Sequence, residues 1–211
     1  MNEHPIIFKD EVIRAILAGV KTQSLRLKGL KEINEDPDDW TLKESWSRVI
    51  PGKYFTHKNG SRRFVKFPYG APGDLIWVRE ALKKTDLGFI SFCDSRYVKD
   101  HDGVYVKWPW RRDTLPSIHM PRWASRITLV VKSVRFERLQ DISEKDAKAE
   151  GDLPGCVNNL DDLGACRCGL CTDPLTYQGG FQKLWDSINA KNGMGWDKNP
   201  WVSVTEFEVK Q

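Results

Sequence analysis

Arg126-Ile127-Thr128-Leu129-Val130-Val131-Lys132-Ser133-Val134-Arg135-Phe136-Glu137-Arg138-Leu139 is the longest β signal in the chain. Immediately after it the pattern changes to that of a short helix. Ser143 is placed as N-cap, Asp146 follows three residues later, and Gly151 stands where the helix must stop. Working outward, residues 75–79 (Leu-Ile-Trp-Val-Arg) read as a buried strand entered through the turn Ala71-Pro72-Gly73-Asp74. Residues 89–93 and 104–108 are further strand candidates, and residues 201–209 close the chain as a strand. The basic stretch 53–66 reads as a hairpin turning at Lys58-Asn59-Gly60-Ser61.

Two more helices complete the pattern. Residues 10–18 carry Val12, Ile13, Ile16 and Leu17 on one face, with Asp10 as expected N-cap and Gly19 as terminator. Residues 180–190 place Phe181, Leu184, Trp185 and Ile188 on one face. The acidic run 31–39, which contains a proline, is expected to be a surface loop. The fold class is therefore α+β: a mostly antiparallel, barrel-like sheet with a few helices packed against it. A parallel, doubly wound sheet would contradict this reading. With no internal repeat and no composition break, residues 1–211 are expected to form one domain.

Composition narrows the function. The chain has 211 residues, 40% of them hydrophobic and 29% charged, which suits a globular protein rather than a disordered one. A net charge of +4 permits a local anion site but is far from that of a protein that coats DNA. No apolar run approaches the roughly 18 residues a membrane helix needs. Residues 1–10 lack the pattern of a signal peptide, so a cytoplasmic location is expected. The nine tryptophans are expected mostly in the core, with one or two free to stack on a planar ligand.

Three clusters and two single glutamates could carry chemistry. Lys21, Ser24 and Arg26 lie within six residues beside a helix end. If 22–27 is extended, Ser24 and Arg26 share a face, because side chains alternate along a strand. A lysine can act as base for a neighbouring hydroxyl when burial weakens its hold on the proton, and an arginine can hold a phosphate or carbonyl oxygen. The same spacing also fits a solvated basic strand with an incidental serine. Glu150 ends the helix before Gly151, where the negative end of the helix dipole opposes a carboxylate. That placement suits a proton shuttle; an ordinary surface glutamate in a charged helix is the other reading.

His119, Arg122, Trp123 and Arg126 form a second cluster, in which an arginine and a tryptophan could sandwich a base as in single-strand nucleic-acid sites. The alternative is a core tryptophan with arginines that pair with carboxylates. Glu80, at the end of the 75–79 strand, could accept from an exocyclic amine or simply terminate the strand. Finally, Cys156, Cys166, Cys168 and Cys171 fall in one short stretch, while Cys93 stands alone. Without an export signal a disulfide framework is not expected. The Cys168-x2-Cys171 spacing lets two thiolates reach one tetrahedral zinc, which four thiolates would make structural. Free thiols are the other reading.

Gly19-Val20-Lys21-Thr22-Gln23-Ser24-Leu25-Arg26 resembles the Gly-x-Lys-x-x-x-x-Arg signature of the ASCH family (activating signal cointegrator homology). Pro72-Gly73-Asp74-Leu75-Ile76-Trp77-Val78 is similar to that family's Gly-Asp-x-aliphatic-x-Val strand. The resemblance extends to Ile142-Ser143-Glu144-Lys145-Asp146-Ala147 through Glu150-Gly151 and to residues 202–207. Residues 117–126 are similar to longer members found in phages and prophages. Insertions then fall near 28–70, 85–122 and 152–178.

The resemblance implies a PUA-like β-barrel, a fold associated with RNA binding and with reading modified bases. One branch of small ASCH proteins hydrolyses N4-acetylcytidine using a lysine, a threonine and a glutamate. Matched motif by motif, those positions fall on Lys21, Ser24 and Glu150, with serine in place of threonine. Three functions follow as expectations. The first is an amidohydrolase acting on N4-acetylcytidine-like substrates, with Lys21, Ser24 and Glu150 catalytic and Arg26, Glu80, Arg122, Trp123 and Arg126 binding substrate. The second is a non-catalytic module that binds single-stranded RNA or a modified nucleoside through the same pocket. The third is a ribonuclease. No organic cofactor is implied.

Overall fold

A computed structural model of the chain describes residues 1–43, 50–99, 102–151 and 176–210. The chain enters through strand β1 (Glu3–Ile7), helix α1 (Asp10–Leu17) and strand β2 (Gln23–Arg26). Strands β3 (Trp40–Lys43), β4 (Gly52–His57) and β5 (Arg62–Lys66) follow, then β6 (Leu75–Arg79), β7 (Leu82–Thr85), β8 (Gly88–Ser91) and β9 (Thr114–Leu115). The 126–139 stretch supplies β10 (Thr128–Arg138), after which come helices α2 (Glu144–Ala149) and α3 (Tyr177–Asn189) and strand β11 (Trp201–Val209).

The class is α+β with mostly antiparallel pairing. Three sheets share the strands: five in the order β1-β6-β10-β11-β2, three in the order β3-β4-β5 and three in the order β8-β7-β9. Only the pairing of β1 with β6 is parallel among the described strands. β10 organises the main sheet. Its first residues pair with β6, its whole length pairs with β11, and a register shift between Val131 and Ser133 marks a bulge.

Each helix buries part of the face its pattern predicts, while Leu17, Leu184 and Ile188 stay exposed. Ile13 and Ile16 of α1 pack with Ile6, Ile76, Val78, Leu129 and Val131 of the main sheet. Ala147 of α2 and Phe181 and Trp185 of α3 pack with Leu25, Leu139, Val202 and Val204. Phe55 and Val65 of the β3-β4-β5 sheet close a third cluster with Phe67 and Phe136, whose rings stack 4.7 Å apart. Leu82, Phe89, Leu115 and Met120 form a fourth. None of the helices among the described residues is long and apolar enough to cross a membrane.

Several elements differ from expectation for identifiable reasons. The N-cap of α1 is Lys9, which makes no side-chain cap; Asp10 is instead the first helical residue, beside Glu11, where both carboxylates face the positive end of the dipole. The 31–39 run is not a surface loop throughout. Ile33 and Asn34 are buried, and Asn34 is anchored to the backbone of Trp201 by hydrogen bonds of 2.9 and 2.7 Å. Residues 104–108 contribute one isolated bridge, Lys99 with Tyr105, rather than a strand. α3 starts earlier than its glycines suggest because Glu144 accepts from the Tyr177 and Gln178 amides, while Thr176 Oγ1 accepts from the Gly179 amide. Tertiary capping thus overrides weak helix propensity.

Candidate functional site

β2 is an edge strand of the main sheet, and the site forms where it meets the ends of α1 and α2. α1 ends at Gly19, whose φ of +71° turns the chain so that the Val20 and Lys21 amides both reach Ala15 O, at 2.9 and 3.1 Å. Thr22 N then donates to Ala149 O at 2.9 Å, and Phe207 N donates to Thr22 O at 2.8 Å. Lys21 is therefore pinned between the C-terminus of α2 and the main sheet. α2 itself is set by Ser143, whose hydroxyl accepts from the Asp146 amide, and by Gln23 Nε2, which donates to Asp146 O at 3.1 Å.

The lysine ammonium donates to Glu150 Oε2 at 2.6 Å and to Glu150 O at 2.7 Å. One contact is an ion pair; the other caps the last turn of α2, where a cation complements the dipole. Both side chains are buried. Gly151 makes the approach possible. Its φ is +86°, and a Cβ at that position would stand 3.0 Å from Lys21 Cβ. Oε2 is thus occupied, whereas Glu150 Oε1 is buried with no hydrogen-bond partner.

Lys21 and Glu150 lie on the wall of a cavity of about 460 Å³ between α1, β2 and α3. That volume falls within the roughly 300–1,000 Å³ of small-molecule sites. Phe8, Leu25, Phe181 and Trp185 make its wall largely apolar, and Arg26 closes one side. The Arg26 guanidinium lies over the Phe8 ring at 5.4 Å. A cation, a carboxylate oxygen lacking a donor and aromatic walls can together hold a planar, polar heterocycle.

The candidate residues from the sequence separate into three groups. Lys21, Glu150 and Arg26 share the cavity wall. Ser24 is fully buried opposite Thr205 in the β2–β11 pairing and is absent from that wall. Its hydroxyl has no hydrogen-bond partner, so it bonds to neither Lys21 nor Glu150.

Glu80, Arg122, Trp123 and Arg126 lie elsewhere. Arg126 holds the buried Glu80 carboxylate bidentately, at 2.9 and 2.7 Å, and reaches Asp94 at 3.0 Å. Ser91 Oγ donates to the same Glu80 carboxylate at 2.8 Å. Arg122 is held bidentately by Glu3, at 2.7 and 3.0 Å. The expected base sandwich is not assembled here, because both guanidinium groups are taken by carboxylates. Trp123 is 55% exposed, with one ring face stacked on Trp110 at 5.5 Å and 7°. The four clustered cysteines lie outside the described residues, and among the described residues no group of His, Cys, Asp and Glu could hold a metal.

The cavity walls contributed by Phe181, Leu184, Trp185 and Ile188 were legible only as a helix face destined for the core. Leu184 and Ile188 are in fact half-exposed at the cavity rim. Four apolar residues on one helix face do not by themselves separate rim from core. Phe8, between β1 and α1, carried no signal of its own.

No protein-family model matches the sequence, and no curated protein matches it. Among solved structures the fold is similar to an ASCH domain from Lactobacillus crispatus, at 12% identity and a TM-score of 0.38, covering 99% of this chain and 79% of that one.

Proposed function

We propose that the cavity receives a modified cytosine nucleoside, free or within single-stranded RNA, and that the chain is an ASCH-type, PUA-like protein that hydrolyses an N4-acyl amide of cytidine. The carrying observation is Glu150: one carboxylate oxygen is bound by Lys21, and the other is buried, unpartnered and beside an apolar cavity. A carboxylate oxygen is the acceptor that suits the N4–H group of cytosine. The signature from Gly19 to Arg26 supports the same reading.

In the reaction, Ser24 Oγ bonds to the acyl carbon and its proton passes to the Lys21–Glu150 pair. The proton is then delivered to N4 as the C–N4 bond breaks, releasing cytidine and leaving the acyl group on Ser24. Water cleaves that ester, returns a proton to Ser24 and releases the carboxylic acid. The route requires the Ser24 side chain to reach the cavity, so it needs a local rearrangement of β2.

The burial of Ser24 Oγ away from the wall favours a second reading, in which the pocket binds without chemistry. Incubation with N4-acetylcytidine, followed by mass analysis, separates the two. Release of cytidine and acetate that is lost in Lys21→Ala establishes the hydrolase. Saturable binding of the nucleoside with no product establishes the binding module, and neither result sinks both.

A further inference from the structure

The β3-β4-β5 sheet has one face buried against Phe67 and Phe136 and one face left open by the described residues. Alternation along the strands fixes which residues lie on each. Phe55 and Val65 point inward, so Tyr54, Phe64 and Lys66 point outward. Pairing extends the outer face sideways: Tyr54 lies opposite Phe64 on β5 and opposite Lys43 on β3, Thr56 lies opposite Arg62, and Gly52 lies opposite Lys66. The Tyr54 and Phe64 rings touch, with centroids 4.9 Å apart. Gly52 leaves space for the Phe64 ring, since a Cβ there would stand 2.7 Å from Phe64 Cζ.

Two aromatic rings thus sit at the centre of an open sheet face with Lys43, Arg62 and Lys66 around them. All three cations are exposed, and none is in an ion pair among the described residues. The neighbouring cations differ: Arg63 pairs with Glu32, and Lys58 pairs with Asp39 at 2.8 Å. Strands β3, β4 and β5 themselves contain no Asp or Glu to oppose a polyanion.

We propose that this face is a second binding site, and that its ligand is single-stranded nucleic acid. Unpaired bases stack on Tyr54 and Phe64 while the phosphates lie against Lys43, Arg62 and Lys66. Aromatic rings on a sheet surface, flanked by cations, suit unpaired bases because every base has a π face and the flanking backbone is anionic. A duplex keeps its bases stacked on one another and offers only its phosphates. The site is independent of the cavity reading, and either can fail without the other.

The test is fluorescence anisotropy of the full chain with labelled 12-mers of oligouridine, oligothymidine and a duplex of equal length, over a salt series. Binding of either single strand at least tenfold tighter than the duplex supports the site, and the ratio of oligouridine to oligothymidine assigns the preferred sugar. Tyr54→Ala is expected to weaken single-strand binding about tenfold or more, the scale of one lost stacking contact. The combined Lys43→Ser, Arg62→Ser, Lys66→Ser variant keeps both rings and is the safeguard should Tyr54→Ala fail to fold. It is expected to lower the slope of log affinity against log salt by about 2, at roughly 0.7 per cation. Lys132→Ser, which removes a cation paired with Glu208 elsewhere, is the charge control and should change affinity less than twofold. Absence of single-strand binding at low salt overturns the proposal, as does equal affinity for the duplex or an unchanged salt slope in the triple variant.

Discussion

Lys21 and Glu150 are 129 residues apart in the chain and 2.6 Å apart in space, with 6% and 7% of their side chains exposed. A charge pair this buried holds two elements together only while both members are present. Coulomb attraction offsets the desolvation of each ion, and a lone survivor keeps the desolvation cost without the attraction. Lys21→Met is therefore expected to destabilise the chain by about 3–5 kcal/mol. The double variant Lys21→Met, Glu150→Leu should cost less than the sum of the two single changes. Urea denaturation of the four proteins forms the cycle. Additive losses would mean that the pair does not act as a unit in solution.

Ser24 sets a different expectation, because its hydroxyl is buried without a hydrogen-bond partner. An unsatisfied buried hydroxyl costs about 1–3 kcal/mol, so Ser24→Ala should leave stability unchanged or raise it by about 1 kcal/mol. The same variant should lose all turnover of N4-acetylcytidine if Ser24 is the nucleophile. Equal or higher stability together with lost product formation separates a chemical role from a structural one. A clear loss of stability would mean that the hydroxyl has a partner in solution.

The framework was legible where local pattern and tertiary environment agree. Leu75–Arg79 and Trp201–Val209 end where the sequence places them, and the Ser143 cap and the hairpin turn at 58–61 form as expected. The pairing of Lys21 with Glu150 came from matched motifs rather than from spacing, since no local pattern links residues so far apart. Illegible were the features created by distant partners. Glu3 and Glu80, which occupy Arg122 and Arg126, are remote in sequence, so local pattern could not choose between arginines free for a ligand and arginines paired with carboxylates; the second holds. Ser24 shares the polarity of a site residue, but it is fully buried within the β2–β11 pairing, opposite Thr205.

Cys156, Cys166, Cys168 and Cys171 support a proposal made from spacing: one structural zinc held by four thiolates. Protein purified without chelator should contain about one zinc per chain by elemental analysis. Cys168→Ser and Cys171→Ser should each remove it, and Cys93→Ser should not, since Cys93 is buried beside Ser91 and Arg14. Metal-free protein with four titratable thiols would refute the proposal.

Asp74 ties the start of the chain to the turn before β6 and makes stability depend on pH. Its carboxylate accepts from the Asn2 amide at 2.7 Å and the Ala71 amide at 3.1 Å. Burial alone pushes its carboxyl up, but these amides, with His4, together outweigh burial and hold it below the ordinary aspartate value. Because the folded value is lower than the unfolded one, the resulting stabilisation is fully present above the unfolded value near 4. It is lost as pH falls through the lower, folded value. Asp74→Asn cannot ionise and lacks this contribution. The stability gap between the unsubstituted chain and Asp74→Asn should therefore persist from pH 7 to about 5 and close as pH falls below about 4. Denaturant midpoints collected across that range measure the gap. A gap that stays constant down to pH 2.5 would mean that the shape of the side chain, not its charge, holds the turn.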